Sequence, residues 1–422
     1  MRVIRFQPSG KESIESLAPL IESLNQYREM LAQVPVAALL DLFDDFGRRL
    51  LQDSDTRMLD GVAFLSGWLR RSNLEGMLRL NLGGSTGFLD GFVRAGPMKL
   101  AAKPRGLISM WMAGNVPTLP LFSMVSALLA KNVCLVKLAM ENDEGMSAIL
   151  NVLGQSTASS LKGAELLQAV SVVWFDYQYQ DLNEEMSRGA DTKIMWGGAA
   201  ALNAISALPR QEHCTEIAFG PKYSIGILDR KRLERDEGLD TVIAAFVRDV
   251  AAFDQRACSA PQTIFVEKNA RLSLREVGEL FARQFRRLPA KSSLDFYTTV
   301  CILNVRAEWA LHDRRDVIAS GLEANWTICM DGDASMKDAV QSRTVFLSEI
   351  DSWAQILPLL SPKIQTAGIA FGDAVDAEAF ANQATLRGVA RCVRPGLMNG
   401  FESPWDGKLL ISELVRWVSL KS

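Results

Sequence analysis

Hydrophobic positions along the 422-residue chain change their spacing as the chain proceeds. Over 14–24, 36–51 and 58–69, apolar residues recur at three- and four-residue intervals, which predicts amphipathic helices. The connector Asn81-Leu82-Gly83-Gly84-Ser85-Thr86-Gly87 punctuates that pattern with turn-forming residues. Residues 1 to about 95 are therefore expected to be helical. From about residue 103, short apolar runs alternate with helical patterns. Strands are expected at 107–112, 133–138, 170–175, 192–196 and 224–228, and helices near 119–130, 143–153, 181–188 and 199–207. Runs with no polar face, such as Val133-Cys134-Leu135-Val136, suit strands buried on both sides, so the alternation predicts a parallel sheet covered by helices. A helix expected at 239–253 leads into a second alternation. It comprises strand 263–267, helix 271–287, strand 299–305, helix 306–318, strands 325–330 and 344–347, helix 351–359, strand 367–371 and helix 376–386. Residues 405–420 have the spacing of an amphipathic helix that packs back on the fold.

Composition removes several function classes. A formal charge of −3 provides no general basic field for nucleic acid. The local run Arg283-Gln284-Phe285-Arg286-Arg287 reads as a solvated helix face. Residues 106–130 carry no charge and are long enough to cross a bilayer as a helix. However, Gly114, Asn115, Pro117 and Pro120 break them into strand, turn and buried helix, so no membrane span is expected. The six cysteines form no CxxC pair, and the two histidines, His213 and His312, stand far apart, so no metal site is expected. The first ten residues alternate charge with apolar side chains rather than forming a secretory leader, which points to a reducing cytoplasm with free thiols.

Candidate chemistry centres on Cys258. It lies among small residues between the end of a helical pattern near Phe253 and the strand signal Thr263-Ile264-Phe265-Val266, with Arg256 two residues away. A cation and free backbone N–H groups at such a junction can stabilise a thiolate. On spacing alone, a buried structural thiol is the commoner outcome. Three strand ends could serve a nucleotide. At Gly197-Gly198-Ala199 a buried strand passes directly into an alanine-rich helix, where small residues let a phosphate approach free N–H groups. This is neither a GxGxxG fingerprint nor a P-loop, and packing alone can demand such glycines. Asn115, in Ala113-Gly114-Asn115-Val116-Pro117, could donate from its side-chain amide into a crevice beyond the strand ends, or simply be a turn residue. Lys137 closes the 133–137 run, where it could meet a ribose or phosphate, or merely be the first solvated residue.

Taken together, the order of these motifs resembles the aldehyde dehydrogenase superfamily. More narrowly, it resembles the LuxC-type acyl-CoA (long-chain fatty acyl) reductases. The most specific wording is Phe253-Asp254-Gln255-Arg256-Ala257-Cys258-Ser259-Ala260-Pro261-Gln262, supported by Trp405-Asp406-Gly407 and Leu409-Leu410-Ile411. The resemblance runs from about residue 100 to the end. It implies an α/β, aldehyde-dehydrogenase-like fold: an N-terminal helical region (1–100), a Rossmann-type nicotinamide cofactor-binding domain (101–235), an α/β catalytic domain carrying Cys258 (236–395), and a C-terminal segment (396–422) returning to the fold. Residue by residue, it makes Cys258 the nucleophile and Asn115 its partner, with the Cys258 N–H, in an oxyanion hole. Lys137 would contact the adenosine ribose, and Gly197, Gly198 and Ala199 would form the turn under the cofactor phosphates.

Three departures shape the expected reaction. The superfamily's Glu-Leu-Gly-Gly-Lys segment reads Ala218-Phe219-Gly220-Pro221-Lys222 here, so Ala218 stands at the general-base position and Glu216 lies two residues earlier. Arg256 replaces the common glutamine two residues before the cysteine, and no second ribose-binding glutamate is recognisable around 338–343. Without a base to activate water, an acyl-enzyme should be reduced rather than hydrolysed. The expectation is reduction of an acyl thioester to an aldehyde through S-acyl-Cys258. The donor would be acyl-CoA, an acyl-carrier or an acyl-protein. NADPH is the expected cofactor and NADH the alternative, because no acidic residue follows Lys137 within two positions, although Glu141 stands nearby. His213 is a secondary candidate for proton transfer. The resemblance also implies a homo-oligomer and leaves room for a complex with an acyl-transferring partner. The rival readings are non-redox acyltransferase or thioesterase use of Cys258, an acyl-phosphate reductase, and a non-catalytic subunit of a reductase assembly.

Overall fold

In the computed structural model, residues 3–140, 144–291, 294–321 and 323–421 are described. The chain divides into two units: Met1–Gly220 with Phe401–Ser422, and Pro221–Gly400.

The first unit is built on a seven-stranded sheet. Its five parallel strands are Leu107–Trp111, Val133–Lys137, Val170–Trp174, Thr192–Trp196 and Thr215–Phe219. The first and fourth are buried at every position, as strands covered on both faces must be. Four of these were legible as apolar runs; Thr215–Phe219, with a glutamate at its second position, was not. The expectation of purely helical structure before residue 95 is corrected at its start. Val3–Gln7 and Gly10–Ile14 form an antiparallel hairpin that extends the sheet edge, with Ile4 opposite Trp174. The period-two alternation Val3-Ile4-Arg5-Phe6 is a strand signal, and Pro8-Ser9-Gly10 supplies the turn. Helices Ala18–Gln33, Val36–Gln52, Val62–Trp68 and Arg71–Asn81 follow. The uncharged stretch after 106 is explained by burial: all eleven residues of helix Leu119–Leu129 are buried. Among the described residues, no helix is long and apolar enough to cross a membrane.

The second unit carries another seven-stranded sheet, parallel over Thr327–Asp331, Thr344–Ile350, Pro261–Glu267, Tyr223–Leu228, Ile364–Ala370 and Arg391–Val393. Arg315–Ala319 joins one edge in antiparallel fashion. Pro261–Glu267 is buried at all seven positions, and Phe246, Phe281 and Phe285 pack over this sheet.

Three expectations in the C-terminal half are overturned. The strand expected at 299–305 lies inside helix Phe296–Leu311, and the helix expected at 306–318 gives way to the strand Arg315–Ala319. Strand-favouring Val300, Ile302 and Val305 misled the local reading, whereas the Asp295 side chain accepts from the Thr298 amide at 2.9 Å and starts a helix. Ile302, Val305 and Trp309 then form its buried face at helical spacing. The C-terminal helix expected at 405–420 is a short turn of helix, Leu410–Glu413, followed by a strand. That strand, Val415–Leu420, pairs antiparallel with Met98–Pro104.

Candidate functional site

The parallel sheet of the first unit has a defined place for a ligand. Leu107–Trp111 has Val133–Lys137 on one side and Thr192–Trp196 on the other. The chain therefore winds outward in one direction and then returns to the opposite side. The carboxyl ends of the two strands at such a reversal open a crevice. Trp111 pairs with Lys137 on one side and with Met195 on the other, so the three strand ends are level. The first end turns through Asn115, the second closes on Lys137, and the third passes into Gly197-Gly198-Ala199. The structure thus brings five of the six expected site residues to one edge of one sheet. The Met112 amide donates to the Lys137 carbonyl at 3.0 Å and ties the Asn115 turn to the lysine strand.

The two glycines are not there for packing. A Cβ at Gly197 would come no nearer than 3.4 Å to Ala201, and one at Gly198 would meet nothing within 4 Å. Gly198 is the N-cap of helix Ala199–Ser206, none of whose residues is buried. Open space over free helix N–H groups is what a cofactor phosphate requires. Next to it, Trp196 stacks on Phe219 with centroids 3.9 Å apart and donates from its indole to Ser123. Lys137 lies over the Phe175 ring, 4.8 Å from its centroid. Burial lowers the Lys137 ammonium to about 8, partly opposed by the Asp176 charge. These residues fit a dinucleotide: a lysine at the strand tip and an open helix N-terminus.

The candidate bases lie at the other end of the sheet. His213 precedes the strand Thr215–Phe219, is 63% exposed, and pairs with Asp191, which precedes the strand Thr192–Trp196. Glu216 is held by Arg210 at 2.5 Å, by the Ser206 hydroxyl at 3.0 Å and by Lys193 at 3.4 Å. Burial would raise this carboxyl, but those partners outweigh it and hold it below its ordinary value. Ala218, near the carboxyl end of the same strand, is exposed and carries no functional group. An apolar cavity of about 250 Å³ lies against the Asn115 turn, lined in part by Leu59, Val116, Pro117, Leu138, Met140 and Ile149.

Cys258 belongs to the second unit, in the loop between helix Leu239–Ala251 with its 3-10 extension and strand Pro261–Glu267. It is partly exposed, unlike Cys134, Cys214 and Cys329, which are buried. Burial raises the Cys134 and Cys214 thiols, takes Cys329 to about 12 and takes the partly exposed Cys392 to about 11, which keeps those four protonated. The loop that carries Cys258 is pinned on both sides. The Ser224 hydroxyl donates to the Cys258 carbonyl at 2.7 Å and accepts from the Thr366 amide at 3.1 Å. The Ser259 hydroxyl donates to Asn399 Oδ1 at 2.8 Å, and Asn399 Nδ2 donates to the Asp249 carbonyl at 2.9 Å. Burial brings the Asp249 carboxyl up to about 6 despite amide donors from Gly396 and Met398. Ser224, Asn399 and Gln255, which bridges the loop ends, were missed from sequence because each acts through contacts the local pattern does not encode.

Comparison with known proteins bears on the fold and the family. The long-chain acyl-protein thioester reductase of Photorhabdus luminescens is 27% identical over 354 residues, covering 80% of this chain and 68% of that protein. The enzyme of the same name from Aliivibrio fischeri is 25% identical over 347 residues, with the same coverage of both chains. Among solved structures, aldehyde dehydrogenase 21 of Physcomitrella patens superposes with a TM-score of 0.71 at 12% identity, covering 99% of this chain and 94% of that one. Aldehyde dehydrogenase C of Pseudomonas syringae, in complex with NAD+ and octanal, gives 0.67 at 11%, covering 100% and 93%. The fold is therefore that of the aldehyde dehydrogenases. The family model described as acyl-CoA reductase (LuxC) matches residues 31–417, and the chain belongs to that family.

Proposed function

We propose that this chain is an oxidoreductase that reduces an acyl thioester to an aldehyde, with Cys258 carrying the acyl group and NADPH as the reductant. The observation that carries the reading is the exposed Ala218 near the carboxyl end of its strand, while Glu216 is ion-paired and His213 lies at the opposite end of the sheet. An S-acyl cysteine with no base to activate water persists long enough to be reduced.

In this reading the Cys258 thiolate attacks the thioester carbonyl carbon, the carbon–sulfur bond to the donor breaks, and the donor leaves as a thiolate that takes a proton from solvent. Asn115, matched to the family's oxyanion asparagine, donates to the carbonyl oxygen as it gains charge, an interaction whose loss typically costs about 10²–10³ in rate. Lys137 and the Gly197-Gly198-Ala199 turn hold the dinucleotide, which when bound supplies a hydride. Release of the aldehyde returns the Cys258 thiolate. No carboxylate that would repel a 2′-phosphate follows Lys137 within two positions, which favours NADPH over NADH; Asp176 stands near enough to act on Lys137 and weighs the other way, and Glu141 lies outside the described residues. The apolar cavity beside the Asn115 turn suits an alkyl chain. Thioesters of CoA and of a protein present the same carbonyl to Cys258, so an acyl-donating protein belongs among the expected partners.

The test is aldehyde formation from matched acyl-CoA and acyl-protein thioesters, with NADPH or NADH. Aldehyde from at least one thioester, faster with NADPH, is expected. Free acid without cofactor consumption would favour the thioesterase reading, and turnover of acyl phosphates alone would favour a phosphate-specific reductase.

A further inference from the structure

Six of the nine non-glycine residues with positive φ among the described residues fall into two runs of three. Phe253, Asp254 and Gln255 have φ of 53°, 48° and 65°; Gln341, Ser342 and Arg343 have 63°, 54° and 57°. L-residues adopt this conformation rarely and seldom in succession, so each run needs something to hold it.

The two runs hold each other. The Ser342 amide donates to the Asp254 carbonyl at 2.9 Å, Arg343 Nε donates to Asp254 Oδ1 at 3.0 Å, and the Thr344 amide donates to Gln255 Oε1 at 2.9 Å. Three consecutive residues thus bond to two. The second run is braced from behind: Lys291 Nζ donates to the Ser342 carbonyl at 2.6 Å and hydroxyl at 2.7 Å, and Arg343 Nη1 donates to the Pro289 carbonyl at 2.9 Å. Gln255 carries the constraint forward. It is 0% exposed, and its other amide atom, Nε2, donates to the Pro261 carbonyl at 2.9 Å. One side chain therefore closes the base of the loop containing Cys258.

We infer that the interlocked left-handed runs 253–255 and 341–343 are a latch that sets the Cys258 loop, with Gln255 as the positioning residue and Arg343 and Asp254 as its clasp. The inference rests on Cys258 being the nucleophile. Fixing the base of so short a loop fixes the direction of the Cys258 amide and thiol, while the thiol's intrinsic reactivity is untouched. Loosening the latch should therefore slow attack on a thioester, which needs aligned groups, and spare reaction with a small alkylating agent, which does not.

The experiment uses the full chain and compares Gln255→Ala, Arg343→Met and the conservative Arg343→Lys. Intact mass follows Cys258 acylation by acyl-CoA without cofactor, and in parallel its alkylation by iodoacetamide. The latch predicts that acylation falls by about tenfold or more in Gln255→Ala and Arg343→Met. Alkylation should stay within about twofold. Arg343→Lys should recover much of the loss, and the double variant should be no slower than the slower single, because both substitutions open one device. Acylation at the wild-type rate in Arg343→Met overturns the latch, and so does a parallel fall in alkylation in a variant that keeps its circular dichroism. Arg343→Met decides the matter if Gln255→Ala does not fold. Wild-type protein that forms no adduct would instead defeat the nucleophile assignment, and the inference with it.

Discussion

Replacing Gly198 by alanine separates folding from cofactor binding. The glycine has an ordinary extended conformation, φ −70° and ψ 163°, so alanine fits the backbone. Its new Cβ would meet nothing within 4 Å. Alanine is a poorer N-cap than glycine by about 1 kcal/mol, and the stiffer unfolded chain returns about 0.4–1 kcal/mol. The net change should stay below about 1 kcal/mol, a Tm shift of no more than about 3 °C in a unit of this size. The same methyl group enters the open space over the N-terminus of helix Ala199–Ser206. There it keeps a phosphate from the free N–H groups. Losing one hydrogen bond to a charged group costs about 1.5–3 kcal/mol, and hence about 10–150-fold in Kd. Fluorescence titration with NADPH measures the affinity, and thermal melting of the free protein measures the fold. A variant that melts like wild type and binds NADPH with unchanged affinity would refute the assignment of this turn to the cofactor.

Three further outcomes are expected. Lys137 titrates at about 8, so NADPH affinity should weaken as pH rises through that value; Lys137→Met should bind less tightly and without the slope, and a flat wild-type profile would remove Lys137 from the site. Asp249 sits at about 6 in the fold against an ordinary 3.8, so its proton stabilises the native state. That contribution is fully present below about 3.8, is lost as pH rises through about 6, and amounts to at most about 3 kcal/mol. Urea unfolding of Asp249→Asn should lack this loss over the same window, and an identical pH slope in the variant would contradict the assignment. Ile149→Phe narrows the cavity beside the Asn115 turn and should shift the acyl preference toward shorter chains. Each buried CH₂ excluded would cost about 0.8 kcal/mol, or about fourfold in kcat/KM. An unchanged chain-length profile would show that the alkyl group lies elsewhere.

The sequence made the buried parallel strands legible because a strand covered on both faces has no polar side to confuse its pattern. Leu107–Trp111 and Val133–Lys137 are such strands. Strands with one open face were harder to read. Val415–Leu420, with Trp417 and Leu420 both 42% exposed, has a mixed pattern that mimics a helix. Residues 299–305 failed for the opposite reason: their strand propensity was overridden by a cap at Asp295 and by burial of only Ile302 and Val305. At the site, the residues expected to touch ligand were visible because they sit at strand ends, where the pattern breaks. Their supports were not. Ser259 meets Asn399 across 140 positions, and Gln255 meets the Thr344 amide across 89, contacts that exist only once the second unit is folded.

The proposed reaction requires that Cys258 carry the acyl group and that the group leave by reduction. Intact mass after mixing the protein with acyl-CoA, before and after NADPH is added, tests both halves. The expected result is an adduct of one acyl group that is absent in Cys258→Ala, persists in buffer, and disappears with release of one aldehyde when NADPH is supplied. An adduct retained by Cys258→Ala, or one discharged as free acid without NADPH, would contradict it.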